Sequence, residues 1–313
     1  MNKVSNLFCN NKLIEITPYT NDRYYIYNTY NNRTIIGDAA VIEYLYNNPE
    51  IDSYSELYDF ITNKKKKNIL DFKFFDISLE SEKLRKISGF TKFSNNVFVV
   101  LFSLFITIYY IFGIISFDTI YEETFHLNEK FLTLLMILLI CAELLITFLH
   151  ELSHFYYYQL YFKNKYVKLG VSLRYFSLFL FSTSVPFMDL MDKKKKLQLI
   201  SAGIKTQITL SGILTVFLLI FNDFEYLSIL HIIYLSNIFL ILINIIPFLR
   251  LDGFWYISCY LNVNNYMNEY KNIFLKKSSP NIGILFIGTL NILIILGCIF
   301  SAFSKIFLFF IKN

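Results

Sequence analysis

The sequence predicts a multi-span α-helical membrane protein, with about five to six transmembrane helices and a re-entrant hairpin, preceded by a small α+β cytoplasmic N-terminal domain. Three observations predict it. Of 313 residues, 55% are hydrophobic and only 17% charged, with a mean hydropathy of +0.46; that balance excludes an ordinary soluble enzyme and a disordered chain. Much of the apolar content falls in runs of about 18 or more residues, the length a helix needs to cross ~30 Å of hydrocarbon. Residues 1–95, in contrast, are polar and rich in Asn and Tyr, with no stretch able to span a bilayer. The expected division is therefore a cytoplasmic domain over 1–95 and a membrane domain over 96–313.

From the amino terminus, Met1 to Asn11 lack an apolar core segment, so no cleaved signal peptide is expected. Arg23-Tyr-Tyr-Ile-Tyr-Asn-Thr-Tyr and Arg33-Thr-Ile-Ile flank Asn31-Asn32. Aromatic and β-branched residues around a turn tolerant of positive φ predict a hairpin. Asp38 opens a helical pattern through Val41, Ile42, Tyr44 and Leu45 that stops at Asn47-Asn48-Pro49. Ser53-Tyr-Ser-Glu56 is a capping-box pattern for a second short helix through Leu57 and Phe60. Apolar segments then run over roughly 97–117, 131–149 continuing into 150–162, 197–221, 226–249 and 283–303. A further stretch, Val171 to Phe187, is broken by Arg174, serines and Pro186. It reads either as a sixth span or, the reading favoured here, as a re-entrant hairpin covered by the other helices.

The net charge of +5 is concentrated in blocks such as Lys64 to Lys67 and Lys193 to Lys196. Beside apolar helices, such blocks mark cytoplasmic flanks and anionic lipid rather than nucleic acid. The loop Asp118 to Lys130 is acidic and Asn222-Asp-Phe-Glu225 has no basic residue, whereas Lys163, Lys165, Lys168, Lys193 to Lys196, Lys271, Lys276 and Lys277 lie on the opposite side. Positive charge inside places the N-terminus in the cytoplasm and brings the ends of the second and fourth spans to the cytoplasmic face. Cys9, Cys141, Cys259 and Cys298 are scattered without C-x-x-C spacing, which predicts neither a disulfide framework nor a thiolate zinc site.

The second span ends in His150-Glu-Leu-Ser-His154. Two histidines four apart share one helix face and can share a tetrahedral metal; Glu151 between them is placed to take a proton from a metal-activated water. The bland reading is a pair of interfacial histidines with a snorkelling glutamate, but three ionisable groups inside an apolar run are costly and mark function. A catalytic zinc needs a third protein ligand. The fourth span offers one in Asn244-Ile-Ile-Pro247-Phe-Leu-Arg-Leu-Asp252-Gly253, where proline ends or kinks the helix and turns Asp252 back toward the core. Loop charges alone bring Asp252 to the membrane face of His150 and His154; the competing reading is an interfacial turn. Asn244 is a candidate for binding substrate backbone or the oxyanion, or for satisfying freed carbonyls.

Together, His150-Glu-Leu-Ser-His154 and Asn244-x-x-Pro247-x-x-x-Leu251-Asp252-Gly253 resemble the two signatures of site-2-protease-type intramembrane zinc metalloproteases. The resemblance covers roughly residues 97 to 303. It implies one Zn2+ held by His150, His154 and Asp252, with Glu151 as catalytic base. Arg250-Leu-Asp-Gly-Phe-Trp-Tyr-Ile-Ser258 and Ser201-Ala-Gly203 are similar to a bacterial branch that processes modified ribosomal peptides. Ser153 departs from the usual glycine, and Ile204 stands where many relatives have proline. No PDZ-like insert is present, which argues against the branch acting on anti-sigma factors. The hairpin and helices of the amino-terminal domain resemble, more weakly, small winged-helix domains that bind leader peptides by adding a strand at a sheet edge. A generic domain that stabilises the membrane part is the equal alternative.

The resemblance implies a membrane zinc metallopeptidase cleaving a ribosomal precursor peptide near the cytoplasmic face, in company with peptide-modifying enzymes or an exporter. The alternatives are a regulatory protease acting on a membrane-anchored signalling protein, or a non-catalytic immunity or scaffold protein. Several tempting residues are set aside. His231 lies thirteen positions before Asn244, about 20 Å along a helix at 1.5 Å per residue. His126 is in the acidic loop, Cys141 is about 14 Å before His150 by the same rise and reads as core, and Asp189 and Asp192 flank a lysine block. Trp255 and Tyr256 read as interfacial anchors.

Overall fold

The computed structural model describes residues 5–9, 12–20, 22–28, 30, 33–52, 54–62, 71–80, 84, 89–113, 129–161, 166–174, 178–183, 191–221 and 227–312. It divides into two units, residues 1–192 with 202–238, and residues 193–201 with 239–313.

The first unit opens with a four-stranded antiparallel meander of β1 (Ser5–Cys9), β2 (Lys12–Thr20), β3 (Arg23–Asn28) and β4 (Arg33–Gly37). The β3–β4 pair sets Tyr24 opposite Gly37 and Asn28 opposite Arg33, the hairpin expected there; Asn31 and Asn32 lie outside the described residues. Strands β1 and β2 extend that hairpin. In β2, Ile14 and Ile16 are buried on either side of a half-buried Glu15, the period-two pattern of a sheet with one face on a core. Helix α1 (Ala39–Asn47) starts and stops where Asp38 and Asn48 predict: Asp38 Oδ1 accepts from Val41 N at 3.0 Å, and Asn48 N donates to Tyr44 O. Helix α2 (Tyr58–Thr62) starts later than the Ser53 pattern predicts. Its approach is held by Ser55 Oγ, which accepts from Leu57 N at 3.2 Å; Ser53 lies outside the described residues.

The core of this domain joins Leu7, Cys9, Ile14, Ile16 and Ile26 to Leu45, Ile51, Phe60 and Ile61. Asn28, fully buried at the end of β3, donates from Nδ2 to Phe60 O at 3.0 Å and Ile61 O at 3.3 Å, tying the sheet to α2. Strand β3 is buried on both faces, with Tyr25 and Tyr27 opposite Ile26.

Strand β5 (Asp71–Glu80) belongs to a second sheet, in the order β5-β6-β7, with β6 at Tyr166–Arg174 and β7 at Leu178–Thr183. Both pairings are antiparallel. The interrupted apolar stretch therefore contributes to the antiparallel pair β6–β7, and the third strand comes from before residue 95, so that a sheet crosses the expected domain boundary. Residues 184–187 lie outside the described residues.

The apolar segments are helices: α4 (Val97–Gly113, after the short α3, Gly89–Ser94), α5 (Glu129–Tyr161), α6 (Lys193–Ile220), α7 (Leu227–Ile245) and, after the short α8 (Asp252–Tyr260) and α9 (Tyr266–Phe274), α10 (Ile282–Lys312). Among the described residues two stretches, Leu135–Tyr161 and Lys193–Ile220, are long and apolar enough to cross a membrane; Val97–Gly113, Ile229–Ile245 and Ile282–Gly297 are shorter apolar stretches. In the first unit polar side chains point inward, with Ser94, Ser103, Thr107, Thr206, Gln207, Thr209, Ser211, Thr215 and Asn237 buried while Phe98, Phe102, Phe105 and Phe112 are exposed. Water does not favour that arrangement. Lipid does, because helices there associate through small and hydrogen-bonding residues.

In the second unit, the C-terminal end of α7 breaks at Ile246 ahead of Pro247, and α8 restarts at Asp252. Gly253 makes this turn possible: a Cβ there would collide with Ile245 O and lie 2.6 Å from its carbonyl carbon. Tyr266 Oη donates to Pro247 O at 2.7 Å and accepts from Asn291 Nδ2 at 2.8 Å, so that α9 and α10 brace the turn. The first turn of α6 carries four lysines against the helix dipole. Lys193 offsets this by donating to Tyr260 O at 2.8 Å, with its ammonium 5.1 Å from the Tyr260 ring centre.

Candidate metal centre

Helix α5 carries a single charged residue, Glu143, between Leu135 and Leu149 and then presents His150, Glu151 and His154. The four-residue spacing stacks both imidazoles on one helix face. Leu152, Ser153 and Phe155 are buried around them. Both histidines are themselves buried, at 6% and 8% exposure, so they can be ligands shielded from bulk water. Their rings lie 4.8 Å apart at 74°, and the two Nε2 atoms are 3.0 Å apart. Two nitrogens on one tetrahedral zinc at about 2.0–2.1 Å stand about 3.3–3.4 Å apart. A shift of a few tenths of an ångström would fit the pair to one ion. Glu151 is half-buried, and a ligand atom from each of the three residues lies within 4.8 Å of the others. This buried cluster could hold a metal ion, and the donor set of two imidazoles and a carboxylate suits a borderline-soft divalent ion.

Helix α6 closes the site from the other side. Gly203 faces the His150 ring so closely that a Cβ would collide with its Cε1 and Nε2 and lie 2.7 Å from Cδ2. One turn on, Gln207 is fully buried with Oε1 at 3.0 Å from His150 Nδ1. Between them Thr206 Oγ1 contacts Ser153 Oγ at 2.7 Å and Ser94 Oγ at 2.8 Å, and accepts from Asn95 Nδ2 at 3.1 Å. Thr209 Oγ1 adds a bond to Ser94 O at 2.8 Å. Ser153, the departure from glycine noted in the sequence, thus uses its hydroxyl to join the motif helix to α6; it also donates to Leu149 O at 2.9 Å.

His150, Glu151 and His154 are brought together as the spacing predicts. Asp252 and Asn244 belong to the second unit, Asp252 as the first residue of α8 and Asn244 in the last turn of α7. His231 is buried with Nε2 2.6 Å from Tyr110 Oη, a structural pin within the first unit. Cys141 is exposed on α5 and not in the core as its apolar surroundings in the sequence predict, and Asp192 immediately precedes α6. His126 and Asp189 lie outside the described residues. The residues that sequence reasoning missed are Gln207 and Thr206. The available signal was a polar pair inside an apolar helix, with Gly203, Gln207 and Ser211 spaced by four along one stripe. No protein-family model, no curated protein and no solved structure matches the chain.

Proposed function

We propose that the chain is a multi-pass membrane zinc metallopeptidase, with its N-terminus in the cytoplasm, that cleaves a ribosomal precursor peptide at or near the cytoplasmic membrane face. The observation that carries the reading is the convergence of two buried Nε2 atoms, with a carboxylate one residue along, on a helix otherwise apolar enough to cross a bilayer. Asp252 is the proposed third ligand, supported by the helix break that Gly253 permits and by the loop charges that bring both motifs to one membrane face.

When bound at this site, zinc supplies a water acidic enough to ionise near neutral pH and a polarised scissile carbonyl. Glu151 takes the proton from the attacking water and delivers it to the leaving amine. His150, held by Gln207 on α6, and His154, one turn further along its own helix, aim their Nε2 lone pairs at one point. Asn244 is proposed to bind the substrate backbone or the oxyanion. A peptide must be extended to expose its carbonyls, and β7, which ends its sheet among the described residues, is the proposed edge for its pairing. That edge lies beside the motif helix, where Phe181 meets Phe148 edge-on at 6.3 Å.

The test is mass spectrometry of candidate precursor peptides incubated with the purified protein and with Glu151→Gln. Cleavage by the wild type and its loss in the variant is expected; equal cleavage by both would overturn the mechanism. A membrane-anchored signalling protein cut in place of precursor peptides would retain the mechanism and replace the substrate.

A further inference from the structure

His150 assigns its two ring nitrogens to different neighbours. Nε2 meets Nε2 of His154, and Nδ1 meets the Gln207 carboxamide at 3.0 Å. A neutral imidazole carries one proton, so a metal at Nε2 requires that proton on Nδ1. The group opposite Nδ1 decides the matter. An amide oxygen there accepts the Nδ1 proton and leaves the Nε2 lone pair for a metal. An amide NH2 there would demand a lone pair at Nδ1, place the proton on Nε2 and close the site.

Gln207 is itself seated by a second layer. Its main-chain oxygen accepts from Asn237 Nδ2 at 3.0 Å, and the same nitrogen donates to Ser211 Oγ at 2.7 Å. Asn237 is fully buried on α7, so one side chain pins two successive turns of α6. Gly203, one turn before Gln207, allows the helix to approach closely enough for the carboxamide to reach the ring.

We propose that Gln207, seated by Asn237, is a positioning residue that holds His150 as its Nδ1–H tautomer and thereby sets the affinity of the metal centre. The inference rests on the metal-centre reading above. A group that only fills space between helices would leave metal affinity indifferent to the presence of an acceptor; a tautomer-setting group makes that acceptor decisive.

The experiment compares zinc affinity, by competition with a fluorescent chelator, for full-length wild type, Gln207→Met and Gln207→Glu in detergent. The visible spectrum of the Co2+-loaded proteins and the thermal midpoint of the metal-free proteins are recorded alongside. Met keeps length and volume but offers no comparable acceptor; Glu offers only acceptors. The expected result is roughly 10–100-fold weaker zinc binding for Gln207→Met, the range that outer partners of ligating histidines command, with an altered Co2+ spectrum. Gln207→Glu is expected to bind at least as tightly as wild type. Equal zinc affinity in Gln207→Met, or a weakening in Gln207→Glu as large as in Gln207→Met, would overturn the inference while leaving the metal centre standing. If Gln207→Met fails to fold, Gln207→Glu alone decides, since weaker binding than wild type contradicts the proposal. A wild type that binds no zinc overturns the metal reading, and this inference with it.

Discussion

Gly203 and the His150 imidazole are packed so closely that even a methyl group at 203 would occupy the ring's place. The ring cannot retreat freely, because Nδ1 is held at Gln207 and Nε2 faces His154. Gly203→Ala therefore forces α6 outward or tilts the ring off its partners. Overpacking of this kind costs about 1–3 kcal/mol, read as a lower thermal midpoint of the metal-free protein. Zinc affinity is expected to fall with it. An alanine variant with unchanged midpoint and unchanged zinc binding would show that α6 does not approach His150 in this way.

His154→Ala and Glu151→Gln should separate binding from chemistry. Removing His154 deletes half of the converging nitrogen pair, so the loss of zinc affinity should exceed the roughly 10–100-fold that an outer partner commands. Glu151→Gln keeps both imidazoles and should keep zinc within a few-fold, while general-base assistance worth about 10²–10⁴-fold in rate disappears. Metal content by elemental analysis and peptide cleavage by mass spectrometry read the two effects independently. Zinc loss in Glu151→Gln matching that in His154→Ala would make Glu151 a ligand instead of a base.

The hydroxyl of Ser153 links α5 to α6 through Thr206. Ser153→Ala removes that link, yet Thr206 keeps Ser94 and Asn95 as partners, so no buried oxygen is stranded. The cost is therefore expected at the ordinary net value of one hydrogen bond, about 1 kcal/mol, with little change in zinc affinity. Thr206→Val removes the hub of the same network and should cost more. Equal destabilisation by both would mean that the bonds from Thr206 to Ser94 and Asn95 contribute nothing.

The helices were legible because their signal is local: apolar runs mark α4 to α7 and α10, and the four-residue histidine spacing needs only a helix to become a pair of converging ligands. Asp38, Asn48 and the Tyr24–Ile36 pattern likewise act on near neighbours. The β5–β6 pairing was not legible. Asp71 pairs with Arg174 and Glu80 with Tyr166, and nothing within either strand encodes a partner some ninety positions away. Gln207 escaped for the same reason. A glutamine beside Thr206 in a largely apolar helix acquires its role from a ring nitrogen on another helix, and a carboxamide's meaning depends on which of its ends faces that nitrogen.

Cys259 provides a pH-dependent readout of the second unit. Its thiol is buried in α8, outside the candidate spans, and burial pushes its pKa up, with Lys196 and Lys193 pulling it partly back. The folded state thus favours the neutral thiol. Stability from this preference is complete below the ordinary thiol pKa and is lost as pH rises through the raised folded value. Alkylation with iodoacetamide near pH 8 should be slower in the folded protein than in the same chain unfolded by denaturant, and should accelerate with rising pH above the ordinary thiol range. Equal rates in the folded and unfolded chains would show that α8 does not bury this thiol.

Strand β5 sets where the amino-terminal domain can be removed. The meander, α1 and α2 end at Thr62, whereas β5 begins at Asp71 and pairs along its length with β6. Deleting residues 1–62 removes the candidate leader-binding sheet and leaves β5 whole. Deleting residues 1–76 also removes Asp71 to Asp76, which face Arg174 to Gly170 across a bulge between Lys73 and Phe75. The longer deletion should therefore lower the thermal midpoint in detergent further than the shorter one, because it opens the edge of the sheet that carries β7. The shorter deletion is the clean test of leader recognition: binding of a precursor leader, measured by fluorescence anisotropy, should be lost in it if the meander is the docking edge. Retained leader binding in the 1–62 deletion would assign recognition elsewhere, and equal midpoints for the two deletions would show that the β5–β6 ladder does not stabilise the rest of the protein.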